Sequence, residues 1–202
     1  MKLYYLTGAC SLASYICLIE AGVTFEPVEV ERGTKKTADG KDYNSINPMG
    51  YVPALVLDDG SVLTENVAVL TYIATLDPAG RLAPKPGSME HFRLLEWLAY
   101  ISSEIHKVVG VIFRSASSED VKKSAREAAL HRLAFIERSL EDRPFLTGAA
   151  FTVADAYLYV VLSWQQRLEL DISGMPKLTA FYERCRARPS VQRARKEEGL
   201  SP

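Results

Sequence analysis

Cysteine is scarce: three residues in 202, Cys10, Cys17 and Cys185. An odd, widely spaced set makes neither a disulfide framework nor a zinc pattern, and it fits a reducing, cytoplasmic setting. Histidine is equally scarce, and His91, His106 and His131 stand at no metal-ligand spacing, so no metal is expected. An excess of one charge is missing too, with 24 Lys+Arg against 25 Asp+Glu and a net charge of −1. A protein that lives off phosphate contacts carries a basic excess, so nucleic-acid binding of that kind is excluded. No apolar run nears the ~18–20 residues of a membrane span. The longest, Ala156 to Leu162, covers only about two helical turns. Met1 to Leu6 is too short for a signal-peptide apolar region and reads as a first strand. Hydrophobic residues make up 48% of the chain, so the disorder signature is absent as well. What remains is a soluble globular chain of one large or two small domains.

The pattern changes near residue 80. Lys2 to Leu6 reads as a strand stopped by Thr7-Gly8, and Leu12 to Ala21 as a helix ended by Gly22. Thr24 to Glu31, with its β-branched side chains, reads as a second strand. Ala54 to Leu57 and Val62 to Thr64 flank Asp58-Asp59-Gly60-Ser61, a hairpin signal. A helix capped by Asn66 runs to Leu76. The order βαβ then ββα predicts a four-stranded mixed sheet, with the first two strands parallel. Residues 78–87 carry Pro78, Pro84, Pro86, Gly80 and Gly87, a linker. Beyond it the reading is all helix. Phe92, Leu95, Leu98, Ile101, Ile105, Val108 and Ile112 form one stripe, and Ser118 to about Leu140 is amphipathic. Val153 to Leu168 is apolar nearly all round and should be the buried centre. Helices over 176–188 and 191–198 follow. The predicted architecture is a small α/β domain over 1–77, the linker, and an all-helical domain over 88–202.

Several residues have chemistry within reach. Cys10 lies at a strand-to-helix junction, where a helix N-terminus lowers a thiol pKa. The other reading is an ordinary small buried residue. Ala13 stands where a resolving cysteine would be, and Cys17, about 10 Å along the helix, is out of disulfide reach. Ser11 can donate a hydroxyl or cap that helix. Val52-Pro53 before a strand predicts a rigid turn that leaves the Val52 backbone groups for an extended peptide. Glu65-Asn66 at a helix start offers a carboxylate to an amine and N–H groups to a carboxylate, or is simply a capped helix with a nearby acid. Ser103 and His106 stand three apart on the long helix, sharing a face, with Lys107 beside them. Thr152-Val153-Ala154-Asp155, preceded by Phe151, is a capping box, so Asp155 reads as a stability residue. Trp164 reads as core or cleft wall.

These motifs together resemble the cytosolic glutathione transferases, most closely the bacterial beta class. The resemblance rests on residues 1 to 13, including Met-Lys-Leu-Tyr-Tyr and Gly-Ala-Cys-Ser-Leu-Ala, and on Asn47-Pro48-x-Gly50-x-Val52-Pro53-Ala54-Leu55. Leu63-Thr64-Glu65-Asn66, Leu95-Glu96-Trp97-Leu98 with Ser103-Glu104-Ile105-His106-Lys107, and Thr152-x-Ala154-Asp155 extend it over about the full length. It implies a thioredoxin-like N-terminal domain, an all-α C-terminal domain, a homodimer, and glutathione as co-substrate between the domains. Carried over, Cys10 meets the glutathione sulfur and can form a mixed disulfide. Val52, before an expected cis-Pro53, pairs with the cysteinyl backbone. Glu65 and Asn66 hold the γ-glutamyl end, and Lys35 meets the glycine carboxylate. Ser103, His106 and Trp164 line the helical side, with His106 as a donor to sulfur. Tyr5 could mimic the catalytic tyrosine of other classes, although Cys10 is the better candidate. Two positions depart from the beta pattern: Ala99 where Asn is frequent, and Ser14-Tyr15 where Pro-His is usual.

The activity this implies is conjugation of glutathione to small apolar electrophiles, a detoxification reaction. Two alternatives share the fold. One is a glutathione-dependent thiol reductase working through Cys10. The other is a non-catalytic ligand-carrying or interaction protein.

Overall fold

The computed structural model describes residues 1–201. Four strands, β1 (Lys2–Tyr5), β2 (Glu26–Glu29), β3 (Ala54–Val56) and β4 (Val62–Thr64), form one sheet in the order β2-β1-β3-β4. β1 runs parallel to β2, with Lys2 opposite Glu26, and antiparallel to β3, with Leu3 opposite Leu55. The hairpin β3–β4 closes around Gly60 at φ +85°, a value that the turn asks of glycine. The mixed four-stranded sheet is the one the sequence predicts.

Side chains on β1 alternate between two buried faces. Tyr4 and Leu6 join Val30, Tyr43, Val52 and Ala54 in one cluster, where the Tyr4 and Tyr43 rings lie 5.6 Å apart. On the other face Tyr5 meets the edge of Tyr15, from helix α1 (Ser11–Glu20), at 5.6 Å. α1 buries Leu12, Ala13, Ile16, Cys17 and Leu18 completely. At roughly 1.5–3 kcal/mol for each large apolar side chain, this face ties α1 firmly to its unit. Helix α2 (Asn66–Thr75) packs against α1.

The helical part contains α3 (Met89–Tyr100), a π-helical segment over Ile101–His106, α4 (Lys107–Ile112), α5 (Glu119–Ser139), α6 (Val153–Leu162), the single turn α7 (Gln165–Leu168) and α8 (Pro176–Arg186). Two sequence expectations shift here. The buried stripe of the long helix is set by Leu94, Leu98, Ile101, Ile105, Val109 and Ile112, while Phe92 is 55% exposed. The inserted i→i+5 turn also changes the helical phase, which the uniform α pattern does not anticipate. The buried central helix is real, with all ten α6 residues buried, but it ends at Leu162 and resumes after Ser163-Trp164 as α7.

The described chain divides into two compact units: Met1–Ala83 together with the segment from Arg188 onward, and Pro84–Ala187. The first boundary falls within the predicted linker. The second differs from the sequence reading, which places 188–202 with the helical half. Helix α9 (Pro189–Glu197) packs on α1 instead. The Arg188 guanidinium and the Ser190 hydroxyl donate to Glu20 at 2.7 and 2.6 Å, and the Tyr15 hydroxyl donates to Glu197 at 2.7 Å. Among the described residues, no helix is long and apolar enough to cross a membrane.

Candidate active site

Between β1 and α1 the chain turns through Leu6-Thr7-Gly8-Ala9. The Ala9 N–H donates to the Leu6 carbonyl at 2.9 Å, and Gly8 at the third position has φ +68°. Those are the features of a type II turn, which needs glycine there. Ser11 braces this turn: its hydroxyl accepts from the Leu6 N–H at 3.2 Å and donates to the Leu6 carbonyl at 3.4 Å. Ser11 is fully buried, and its hydroxyl is used in bracing this turn rather than as a side-chain cap of α1.

Cys10 is the N-cap of α1, with its thiol half-buried and donating to the Val52 carbonyl at 3.3 Å. Burial pushes the thiol up to about 12, outweighing the Cys10 and Ser11 backbone N–H groups that favour the thiolate. Glu65 adds to the rise and Arg32 opposes it. Helix position alone does not set the charge of this sulfur, because removal from water penalises the thiolate more than the helix end helps it.

The Val52-Pro53 peptide bond is cis, as expected. The residues leading into it are pinned. The Tyr51 carbonyl accepts from the Tyr43 hydroxyl and from Asn47 Nδ2, each at 2.7 Å. Gly50 has φ +64°, and a Cβ there would stand 3.0 Å from Asn44 Oδ1 and 3.9 Å from Lys35 Cε. That close approach lets the Lys35 ammonium donate to the Gly50 carbonyl at 2.8 Å. Lys35 is therefore held beside the Val52-Pro53 segment, at one end of the candidate binding edge.

Glu65, rather than Asn66, is the N-cap of α2, and Asn66 is the first helical residue. Glu65 adopts φ +66°, ψ 119° with an exposed side chain. A residue with a Cβ pays for that conformation, and such outliers cluster at ligand clamps. Asn66 is buried. Its Oδ1 accepts from the Ser14 hydroxyl at 3.0 Å, while its Nδ2 is buried without a hydrogen-bond partner. Ser14, which departs from the beta-class pattern, thus orients the Asn66 amide. Tyr15 beside it anchors Glu197.

In the helical unit His106 and Trp164 come together and Ser103 does not join them. His106 Nδ1 and the Tyr157 hydroxyl are 2.7 Å apart, and the His106 ring lies 5.2 Å from Trp164. Trp164 in turn meets Phe113 at 5.6 Å, with the Arg167 guanidinium 5.0 Å over the Phe113 ring. Burial, with Lys107 adding to it, pushes His106 down to about 4, so its ring is neutral near pH 7. Ser103 is exposed and donates back to the Ala99 carbonyl at 3.0 Å. The π turn explains the separation: winding more residues into each turn, it carries side chains three apart onto different sides. Lys107 is exposed. Tyr157 is the residue sequence reasoning missed, because its pairing with His106 spans 51 positions and leaves no local signal.

Tyr5 is buried, and desolvation, followed by Glu29, Glu198 and Glu197, holds its phenol above the usual range. That is the reverse of what an activated tyrosine needs. A cavity of about 480 Å³ opens beside Leu6 and Thr7, lined also by Glu29, Arg32 and Lys36, and none of the predicted site residues lines it. Among the described residues no His, Cys, Asp and Glu cluster could hold a metal.

Comparison with known proteins covers both units. The family model for the glutathione S-transferase N-terminal domain matches residues 1–75, and that for the C-terminal domain matches residues 95–189. The chain is 42% identical over 200 residues to glutathione S-transferase GstA of Escherichia coli O157:H7, covering 99% of this chain and 100% of that protein. A sphingomonad glutathione S-transferase, solved in complex with glutathione, superposes with a TM-score of 0.96 at 44% identity, covering 100% of both chains. The bacterial beta-class enzyme of Sphingomonas chungbukensis gives a TM-score of 0.96 at 43% identity, again over 100% of both.

Proposed function

From the premise that this chain belongs to the glutathione S-transferase family and is most similar there to bacterial beta-class enzymes, we propose that it joins the glutathione thiol to small apolar electrophiles. The observation that carries the reading is the meeting of Cys10 with Val52. The 3.3 Å thiol–carbonyl contact brings the N-terminus of α1 to the segment before cis-Pro53. Lys35 stands on that segment, and Glu65 and Asn66 stand at the start of α2. A tripeptide with a carboxylate at one end and an amino-acid head group at the other matches this charge order. Lys35 faces the glycine carboxylate and Glu65 the amine, and the start of α2 at Asn66 offers backbone N–H groups to a γ-glutamyl carboxylate. The Val52 backbone pairs with the cysteinyl residue by strand addition.

The state of Cys10 refines the chemistry. The Cys10 S–H donates to the Val52 carbonyl; glutathione pairing with the Val52 backbone would release that proton, so that Cys10 could donate it to the glutathione sulfur. In the helical unit, neutral His106 has Nδ1 engaged with Tyr157, which leaves Nε2 as the ring nitrogen for a substrate contact. Phe113, exposed and packed on the buried Trp164, supplies apolar surface for an electrophile. Thiol–disulfide exchange is the finer alternative. It requires the Cys10 thiolate, and burial keeps that form scarce in the resting protein.

Cys10→Ser separates the two. A hydroxyl can still donate, so conjugation of a chloronitrobenzene with glutathione is expected to fall by no more than about tenfold. Mixed-disulfide formation, followed by intact mass, is expected to vanish. Loss of conjugation by a thousandfold would make Cys10 a covalent participant instead. A homodimer is part of the proposal, supported by Met49 and Tyr51 in one unit and Met89 and Phe92 in the other, apolar side chains that are all more than half exposed. Light scattering reads the mass directly.

A further inference from the structure

Glu198, at the end of α9, is 5% exposed, and its carboxylate is unequally used. Oε2 accepts from the Gly8 N–H at 2.8 Å, whereas Oε1 is buried without a hydrogen-bond partner. In a type II turn the N–H of the third residue is not consumed by the turn's own bond, so once buried it needs an outside acceptor. The same tail covers the turn from above: a Cβ on Gly8 would lie 3.5 Å from Leu200 Cδ2. Two residues beyond Gly8 the chain reaches Cys10.

We infer that Glu198 is a positioning residue for the Cys10 loop: by accepting the Gly8 N–H it holds the Leu6–Ala9 turn closed, and so fixes where the Cys10 thiol stands. The inference rests on the reading of Cys10 as the thiol of the site. A purely structural acceptor would not need a charge. Glutamine could make the same Gly8 bond through its carbonyl oxygen, with a neutral amide NH2 in place of the unpartnered, ionisable Oε1.

The surroundings make the charge state variable. Burial pushes the Glu198 carboxyl up to about 7. The Gly8 N–H opposes the rise, the Glu29 carboxylate adds to it, and Arg195 lowers it. Tyr5, from β1, and Tyr15, from α1, complete the titratable groups around it, with Glu197 next along α9 and bonded to Tyr15. Protonated Glu198 is a weak acceptor, and ionised Glu198 accepts in a shorter, stronger, charge-assisted bond. The turn therefore tightens as pH rises through about 7. Global stability moves the other way. A carboxyl raised in the folded state contributes most below its ordinary pKa, and that contribution is lost as pH rises through the folded value. A locally tightening turn in a globally weakening fold is a signature that simple packing does not produce.

The test uses the full chain in three forms: parent, Glu198→Gln and Glu198→Ala. The Gly8 amide is followed by NMR shift and hydrogen exchange, and Cys10 by its iodoacetamide alkylation rate, between about pH 6 and 8. In the parent, the amide shift is expected to step with a midpoint near 7, and the alkylation rate to depart at the same pH from the steady, about tenfold-per-unit rise of a thiol far below its pKa. Glu198→Gln keeps the turn and abolishes both the amide step and the departure, leaving only the steady rise in alkylation. Glu198→Ala speeds Gly8 exchange by about tenfold with helicity unchanged. Alkylation needs no glutathione, so its result is independent of whether the co-substrate binds. A Gly8 amide in the parent that does not move across this range overturns the inference without any variant having to fold. An alkylation rate indifferent to both substitutions overturns its link to Cys10.

Discussion

Asp155→Ala is expected to lower the unfolding free energy by about 4 kcal/mol. The Asp155 carboxylate is completely buried and accepts three bonds: from the Leu146 N–H at 2.8 Å, the Thr152 N–H at 2.8 Å and the Thr152 hydroxyl at 2.7 Å. Alanine strands two buried backbone donors, each worth roughly 1–3 kcal/mol, and removes the N3 half of the capping box of the most buried helix. For a chain of this length the melting temperature should drop by about 10 °C. Asp155→Asn keeps one acceptor oxygen and should recover about half of the loss. The sign of the pH dependence follows from burial, which raises the carboxyl to about 6 against its donors. The neutral form is favoured in the folded chain. Its contribution is therefore full below the ordinary carboxylate value of 3.8 and is lost as pH rises through about 6. The asparagine variant should flatten that part of the stability profile. Urea denaturation with an unchanged slope checks both statements. A loss below about 1 kcal/mol would mean that the donors find other partners.

Glu65→Ala carries the second large effect, on binding. A charge-assisted bond to an ammonium group is worth about 1.5–3 kcal/mol, so glutathione affinity should weaken by roughly 10–150-fold. Glu65→Gln keeps the shape and loses the charge, and most of the loss should remain. Glu65→Gly makes the contrast sharp. Glycine adopts φ +66° without the cost of a Cβ, so this variant should be no less stable than the parent while binding as poorly as Glu65→Ala. Calorimetric titration beside thermal melting separates the two properties. A Glu65→Gly chain that binds normally would show that the strained backbone, and not the carboxylate, serves the ligand.

How far the sequence led differs between the two units. The apolar run of β1 stopped by Thr7-Gly8, the hairpin signal at Asp58 to Ser61 and the Thr152–Asp155 box are local patterns, and each maps directly onto structure. Failures arise where a local pattern meets a distant partner. The apolar stripe over residues 92 to 112 reads as one α-helix, because nothing in its composition announces the π turn at Ile101–His106. That turn moves Ser103 away from His106. The tail is assigned by sequence order to the helical half, but Glu20, Tyr15 and Gly8 draw Ser190, Glu197 and Glu198 onto α1. The helix position of Cys10 is legible in the same way, whereas the partner of its thiol, the Val52 carbonyl, lies 42 residues away and leaves no local signal.

The most direct measurement of the central claim is calorimetric binding of glutathione to the unmodified protein near neutral pH. The account predicts saturable binding at one site per chain, with affinity reduced in Glu65→Ala and unchanged in the surface control Asp171→Asn. Absence of binding up to about 10 mM glutathione, an affinity weaker than about −3 kcal/mol, would contradict it.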